Sequence, residues 1–570
     1  MRLLTVVSAL AAAMGVAAGQ PTITSVANAA SNLPQGLPNS GIAQGSIFIV
    51  KGTGLGPDTI AFAQTAFQSS TLAGSSISVT VGSTTVNALM YYASAAQLAA
   101  LLPSNTPTGS GTLTVTYSGT ASSTFAAQVV ANNIGIFSFS QDGQGLAIAT
   151  YPDYSLVSAV PGTGTLADTC SAGKACPYTY GGAPHPGDVI TLWATGLGAV
   201  SGGDGTSSLG QTNAVGITLW IGGVSVPITY QGRSGCCIGE DQIAFTVPSG
   251  AGSGQPGTIP GGCAVPVVLQ IGTLLSNATL MPITASGRSC TPQSPALTSS
   301  AVQALTTATG PFNFSTAELG RQLFSVTSSG SFYDDFAQIS FGPISETYHD
   351  QNTQPLVLSS LDSLPLGTCL TYNAALSGNP ALITYLGGAD AGTVTINGQY
   401  GQLPLTNHGG TPTVYGAILS GQGTYFSLGS YSVSSVNGRD ISPFTLRFTI
   451  AATPTWDGVD QNRIITSGVT RANGMTLNWT PGSASYNLAI TGSSYTDGTG
   501  QVGAAFICSV PSTLGTFTVP AQVLLALPST PYTEIDFKPV LPAQGYSSTE
   551  LNVGIMNFQY QTSIFGAQFK

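Results

Sequence analysis

Charge is what this sequence has least of. Of 570 residues, 12 are Lys or Arg and 22 are Asp or Glu, for a net charge of −10. Basic residues scattered this thinly argue against a nucleic-acid partner, since neutralising a phosphate backbone takes clustered Lys and Arg. The same scarcity argues against long exposed helices, whose outer faces are usually built from Glu, Lys, Arg and Gln. Histidine is also rare. The three present, His185, His349 and His408, sit in loop-like contexts, and no G-x-S-x-G elbow accompanies them, so a Ser-His-Asp triad has no supporting motif. No paired C-x-x-C knuckles occur, which argues against structural zinc. After Ala18 no apolar run reaches the roughly 20 residues that a membrane-spanning helix needs.

What is present points to strands. Hydrophobic residues make up 42% of the chain, in short runs punctuated by 72 Gly and 35 Pro. Enough apolar surface is available to build cores, and Thr, Val, Tyr and Ser suit pleated surfaces between Gly- and Pro-containing turns. The fold class predicted is all-β, as tandem immunoglobulin-like sandwiches. At the start, Arg2 precedes an apolar run from Leu3 to Ala18 that ends in small residues before Gln20. This pattern predicts a signal peptide over 1–19 and export to the periplasm, the cell surface or the medium.

Export makes disulfides the expected state of the eight cysteines, Cys170, Cys176, Cys236, Cys237, Cys263, Cys290, Cys369 and Cys508. Cys170 and Cys176 form the easiest local pair. A vicinal ring is strained, which favours Cys236 and Cys237 pairing with Cys263 and Cys290 and leaves Cys369 for Cys508, although sequence does not decide connectivity.

An internal repeat organises the first half. Gly45-Ser-Ile-Phe-Ile-Val-Lys-Gly-Thr-Gly-Leu-Gly56 matches Gly187-Asp-Val-Ile-Thr-Leu-Trp-Ala-Thr-Gly-Leu-Gly198 at a constant offset, 187 − 45 = 198 − 56 = 142. Further on, Ile77 to Gly82 mirrors Ile217 to Gly222, Met90-Tyr91 mirrors Thr229-Tyr230, and Gln97 and Pro103 mirror Gln242 and Pro248. About seven short alternating strands per unit is an immunoglobulin-like signature. These motifs resemble the IPT/TIG class of immunoglobulin-like domains. More narrowly, Pro186 to Gly198 followed by Ser234-Gly-Cys-Cys-Ile-Gly-Glu-Asp-Gln-Ile243 resembles an uncharacterised domain family of secreted soil-bacterial proteins. The likeness covers about residues 21–290 and implies extracellular modular architecture without an assigned reaction. The expected organisation is domain 1 over 20–132, domain 2 over 133–290, a Ser/Thr/Pro-rich linker over 291–304, and two further β-sandwich modules over 305–452 and 453–570.

Candidate chemistry is sparse. Glu346, His349 and Asp350 form the densest polar group, read as a solvated loop. Asp334, Asp335 and Glu346 are the nearest carboxylate set for glycoside hydrolysis, but adjacent Asp334 and Asp335 point to opposite faces of a strand. Asp457, Asp460 and Asn462 have calcium-like spacing without the EF-hand order, so structural calcium competes with a simple turn; no other cofactor is expected. Trp193 and Trp220 lie on repeat strands as core residues, whereas Trp456, between Pro-Thr and Asp-Gly, is the candidate for stacking on a sugar ring. The function expected is that of a non-enzymatic spacer, adhesin or binding module, with an extracellular polysaccharide or protein as partner. The alternative is carbohydrate binding or processing by a C-terminal module.

Overall fold

The computed structural model describes residues 20–166, 176–206, 215–292, 296, 312–327, 330–344, 364–374, 385–419 and 425–570. The predicted signal peptide, most of the predicted linker, Cys170, and the Glu346, His349 and Asp350 group lie outside them. The described chain is all-β, with sheets packed in pairs.

The first sandwich sets a five-stranded sheet, in the order Thr22–Asn28, Ile47–Thr53, Gln97–Leu101, Leu89–Ala93, Ala61–Phe62, against a seven-stranded sheet centred on Ser75–Val81 and Gly109–Tyr117. Period-two alternation explains this packing, because it sends every second side chain to one face. Ile77, Val79, Leu113 and Val115 meet Phe48, Val50, Leu98 and Met90 in one core.

The second sandwich repeats the plan. Val189–Thr195 pairs antiparallel with Asp241–Thr246 as Ile47–Thr53 does with Gln97–Leu101. Trp193 lies opposite Gln242 where Lys51 lies opposite Gln97. The 142-residue repeat is therefore a repeat of strand pairing.

The second half departs from two separate modules. One ten-stranded sheet runs from Thr368–Ala374 through Gly503–Pro511, Asn487–Tyr495, Thr533–Tyr546 and Val553–Gln559 to Phe312–Thr327, Gly330–Ile344, Thr413–Leu419 and Thr406–Gly409. Phe312–Thr327 pairs in parallel with Val553–Gln559, joining residues more than 200 apart across the boundary expected at 452. What changes near that point is the covering layer. A four-stranded sheet closes one core around Phe341, Tyr415, Phe448 and Phe558. A three-stranded sheet with the helix Gly458–Ser467 closes the other, around Trp479, Ile490, Phe506 and Phe537.

Two local readings are corrected. Asp457 to Asn462 is no turn between strands: Asp457 caps the helix Gly458–Ser467, accepting from the Val459 N–H at 2.9 Å. The apolar alternation from Gly515 to Leu527 predicts one continuous strand, but it is a strand only over Thr516–Val519; beyond Pro520 it forms the helical turn Ala521–Leu524, since Pro lacks a ladder donor and suits a helix start.

Cys369 and Cys508 pair as expected, but the other disulfides differ from the favoured pairing. Cys236 bonds Cys237, Cys263 bonds Cys290, and Cys369 bonds Cys508. Cys263 and Cys290 come from segments already held side by side, with Cys290 N–H donating to Ala159 O. That leaves the adjacent pair to each other.

Candidate functional site

The strand Thr533–Tyr546 alternates between core and polar face. Ile535 and Phe537 enter the core, so Glu534, Asp536 and Lys538 line up on the opposite face. Asp536 is buried and fully occupied. Its Oδ1 accepts from Ser563 Oγ at 2.6 Å and Gln561 Nε2 at 3.2 Å, and its Oδ2 accepts from Thr491 Oγ1 at 2.9 Å and Lys538 Nζ at 2.9 Å. Burial raises its pKa, but Lys538 and these hydrogen bonds outweigh burial and hold it below the usual carboxylate range. Glu534 goes the other way: burial, and then the neighbouring Asp536 charge, push it up to about 7.

Glycoside hydrolysis needs two carboxyl groups free to act on opposite sides of one bond. Ser563, Gln561, Thr491 and Lys538 hold Asp536 in place, and Glu534 is hydrogen-bonded to it as well. Asp536 acts as an anchor for its neighbours.

Gln561 carries this network to an open cleft of about 630 Å³ between the two covering layers, lined by Arg321, Tyr400, Phe426, Gln461, Tyr560 and Gln561 among others. Among the described residues, no Asp or Glu belongs to its lining. Arg321 is fixed from behind: Nε donates to Asp335 Oδ1 at 2.9 Å, and Asp335 Oδ2 accepts from the Phe426 N–H at 2.7 Å. The guanidinium lies 5.0 Å over the Tyr560 ring, a cation–π arrangement that presents planar N–H donors beside an aromatic face. Tyr560 in turn donates to Phe426 O at 2.8 Å, and burial raises its pKa. Tyr400 is 64% exposed at the rim, 5.9 Å from Tyr425. The surface thus sets flat rings, amides and one clamped guanidinium side by side, offering stacking faces beside N–H donors.

The residues singled out from sequence fall elsewhere. Trp456 lies at the cleft wall but is only 4% exposed, stacked 5.7 Å from Phe537 with Nε1 donating to Asp460 Oδ2. It is a core residue, and its exposed-looking neighbours misled because they begin a helix. Asp460 is bound by Arg463 at 2.6 Å and by the Asn478 N–H, while Asn462 is exposed on the helix. The three oxygens of the calcium reading are thus divided between a helix cap, an ion pair of the buried Asp460 with the exposed Arg463, and solvent. Among the described residues no three His, Cys, Asp or Glu side chains gather as a metal site. Asp335 is buried against Arg321, and Asp334 is half-buried beside it. His185 lies 3.7 Å from Asp188 and His408 is exposed. Trp193 is buried, donating to Thr150 Oγ1 at 3.0 Å, and Trp220 is half-buried, bonded to Gln270. Glu534, Asp536 and Lys538 had a legible signal, charge at every second position of an apolar strand. Arg321 and Tyr560 had none, since parallel pairing across the two halves brings them together.

These features define an all-β protein of tandem immunoglobulin-like sandwiches, and no helix of the described residues is long and apolar enough to cross a membrane. No protein-family model matches the chain, and no curated protein matches it. Similar solved structures include SGBP-B from a complex xyloglucan utilization locus in Bacteroides uniformis, 10% identical over 86% of this chain and 99% of that one, with a TM-score of 0.16. Another is the FN1–FN3 segment of chicken CNTN1, 8% identical over 72% and 99%, with a TM-score of 0.14. Domains A168–A170 of titin are 9% identical over 72% and 100%, with a TM-score of 0.11.

Proposed function

We propose that this chain is an exported, non-catalytic binding protein that holds an uncharged polysaccharide in the cleft between Arg321, Tyr400 and Tyr560. Its first two sandwiches, which we assign to the IPT/TIG class on their repeated motifs, space that cleft from the surface to which the protein attaches. One observation carries the reading. The cleft combines an exposed ring, a guanidinium locked over a second ring and two amides, with no carboxylate among the described residues of its lining. A pyranose presents an apolar C–H face suited to ring stacking and a rim of hydroxyls suited to planar donors.

The test is affinity electrophoresis and calorimetry with mixed-linkage β-glucan, hydroxyethylcellulose and chitohexaose. The wild-type protein is expected to bind at least one of them, and Tyr400→Ala to weaken that binding about tenfold, or about 1.4 kcal/mol. Binding to none of the three, or equal binding by the variant, would overturn the reading.

A further inference from the structure

The first sandwich carries a second aromatic surface, away from the cleft. In Leu89–Ala93 the register against Gln97–Leu101 slips between Met90 and Tyr92, so that Met90 faces Ala100 and Tyr92 faces Ala99 with Tyr91 left over between them. This is a β-bulge, which re-aims side chains that strict alternation would place on opposite faces. Met90 and Ala93 stay in the core. Tyr91 and Tyr92 both emerge outside it, their rings 5.7 Å apart. Phe62 from the edge strand Ala61–Phe62 lies 6.0 Å from Tyr91 and 5.8 Å from Tyr92, and Phe67 lies 5.3 Å from Tyr91. Phe62 is 50% exposed and Tyr91 38%. Gln97 Nε2 donates to the Tyr92 hydroxyl and so orients it.

In the second sandwich the same bulge turns its side chains to internal hydrogen bonds. The slip recurs between Ile228 and Tyr230, placing Thr229 and Tyr230 in the positions of Tyr91 and Tyr92, 229 − 91 = 230 − 92 = 138. There Thr229 Oγ1 donates to Ala244 O at 3.0 Å and Tyr230 to Arg233 O at 2.6 Å. One copy spends its bulge on internal hydrogen bonds; the other turns Tyr91, and with it Phe62, to solvent, with Tyr92 half-buried beside them and Phe67 buried beneath.

We infer that Phe62, Tyr91 and Tyr92, backed by the buried Phe67, form a second platform for an uncharged polysaccharide chain, so that the protein grips its ligand at two separated points. The inference rests on the cleft reading for the class of ligand and on the bulge for the place. Contiguous exposed rings of this kind mark interaction surfaces. Two tyrosine hydroxyls and the Gln97 amide fringe them, which fits a hydroxylic partner, and Glu240 lies within electrostatic reach of Tyr91. Two linked sites also convert the second contact into an intramolecular one, raising avidity without new affinity at either.

The full chain and its Phe62→Ala/Tyr91→Ala, Tyr400→Ala and combined variants are compared in gels cast with mixed-linkage β-glucan, hydroxyethylcellulose or chitosan-free chitin oligomers, with circular dichroism to confirm folding. Both Phe62 and Tyr91 are exposed, so the double variant is expected to fold and to lose about tenfold in apparent affinity for the long polymers while losing little for a hexasaccharide. Loss in the Phe62/Tyr91 variant with none in Tyr400→Ala supports the platform and overturns the cleft. Loss in Tyr400→Ala alone overturns the platform and keeps the cleft. Binding to no polymer overturns both, whereas a wild-type self-association that the Phe62/Tyr91 variant abolishes without any change in polymer binding overturns the platform alone.

Discussion

Arg233 Nη1 donates to Asp241 Oδ1 at 2.8 Å with both side chains buried, 4% and 1% exposed. The same guanidinium reaches Gly45 O, at the start of the first repeat motif, and Gly198 O, at the end of the second, at 3.3 Å for the latter. Asp241 also accepts from the Leu197 N–H at 2.9 Å. One buried ion pair therefore ties the two copies of the repeat together.

Removing one partner leaves the other charge buried and unpaired, which typically costs about 3–5 kcal/mol. Arg233→Ala is expected to destabilise the first half by that amount in urea titrations followed by tryptophan fluorescence. Arg233→Met combined with Asp241→Leu removes both charges, and is expected to recover most of the loss. A single variant as stable as the wild type would show that the pair does not join the copies.

Glu534 sets a pH dependence of definite sign. Its folded pKa of about 7 lies above the ordinary value of 4.5, so the folded state holds a proton that the unfolded state has already released. Stability from this group is full below about pH 4.5 and falls as pH rises through 7. Glu240, pushed up to about 7 chiefly by burial, adds to the same decline. Glu534→Gln is expected to flatten the fall in melting temperature between pH 5 and 8, by the measure of calorimetric scans at about one-unit pH steps. An unchanged slope would count against a buried, protonated Glu534.

Gly320 tests the continuity of the long sheet. It has φ +140°, and a Cβ there would sit 1.8 Å from Gln559 O on the paired strand. Backbone strain at such positions costs about 1–3 kcal/mol, apart from the clash itself. Gly320→Ala is expected to loosen Phe312–Thr327 from Val553–Gln559, seen as faster amide exchange in both segments. Loss of protection in Phe312–Thr327 alone would mean the two halves do not share the sheet.

Trp456 separates stability from binding. Buried against Phe537 and bonded to Asp460, it is expected to cost about 3–5 kcal/mol when truncated to Ala. Trp456→Phe keeps most of the packing, and its polysaccharide affinity is expected to stay within about twofold of wild type, as measured by calorimetry. A large loss of affinity in the Phe variant would return Trp456 to the ligand.

The sequence by itself determined the fold class and the repeat, because both are local. Low charge, Gly and Pro punctuation and period-two alternation act within a few residues, and the Gly45 and Gly187 motifs dictate the same strand and turn wherever they occur. Alternation also exposed the polar face of Glu534, Asp536 and Lys538. Tertiary structure alone decided what depends on partners distant in sequence. The parallel pairing of Phe312–Thr327 with Val553–Gln559 fused the two expected C-terminal modules into one sheet and brought Arg321 over Tyr560. Trp456 looked exposed between Pro, Thr, Asp and Gly, yet burial is a property of what packs on a side chain, and Phe537 comes from 81 residues further on, 537 − 456. Cys236 found Cys237 because the competing cysteines were already placed by strands and loops around them. The bulge that turns Tyr91 and Tyr92 outward together is likewise invisible in an alternating pattern, since it is set by the register against Gln97–Leu101.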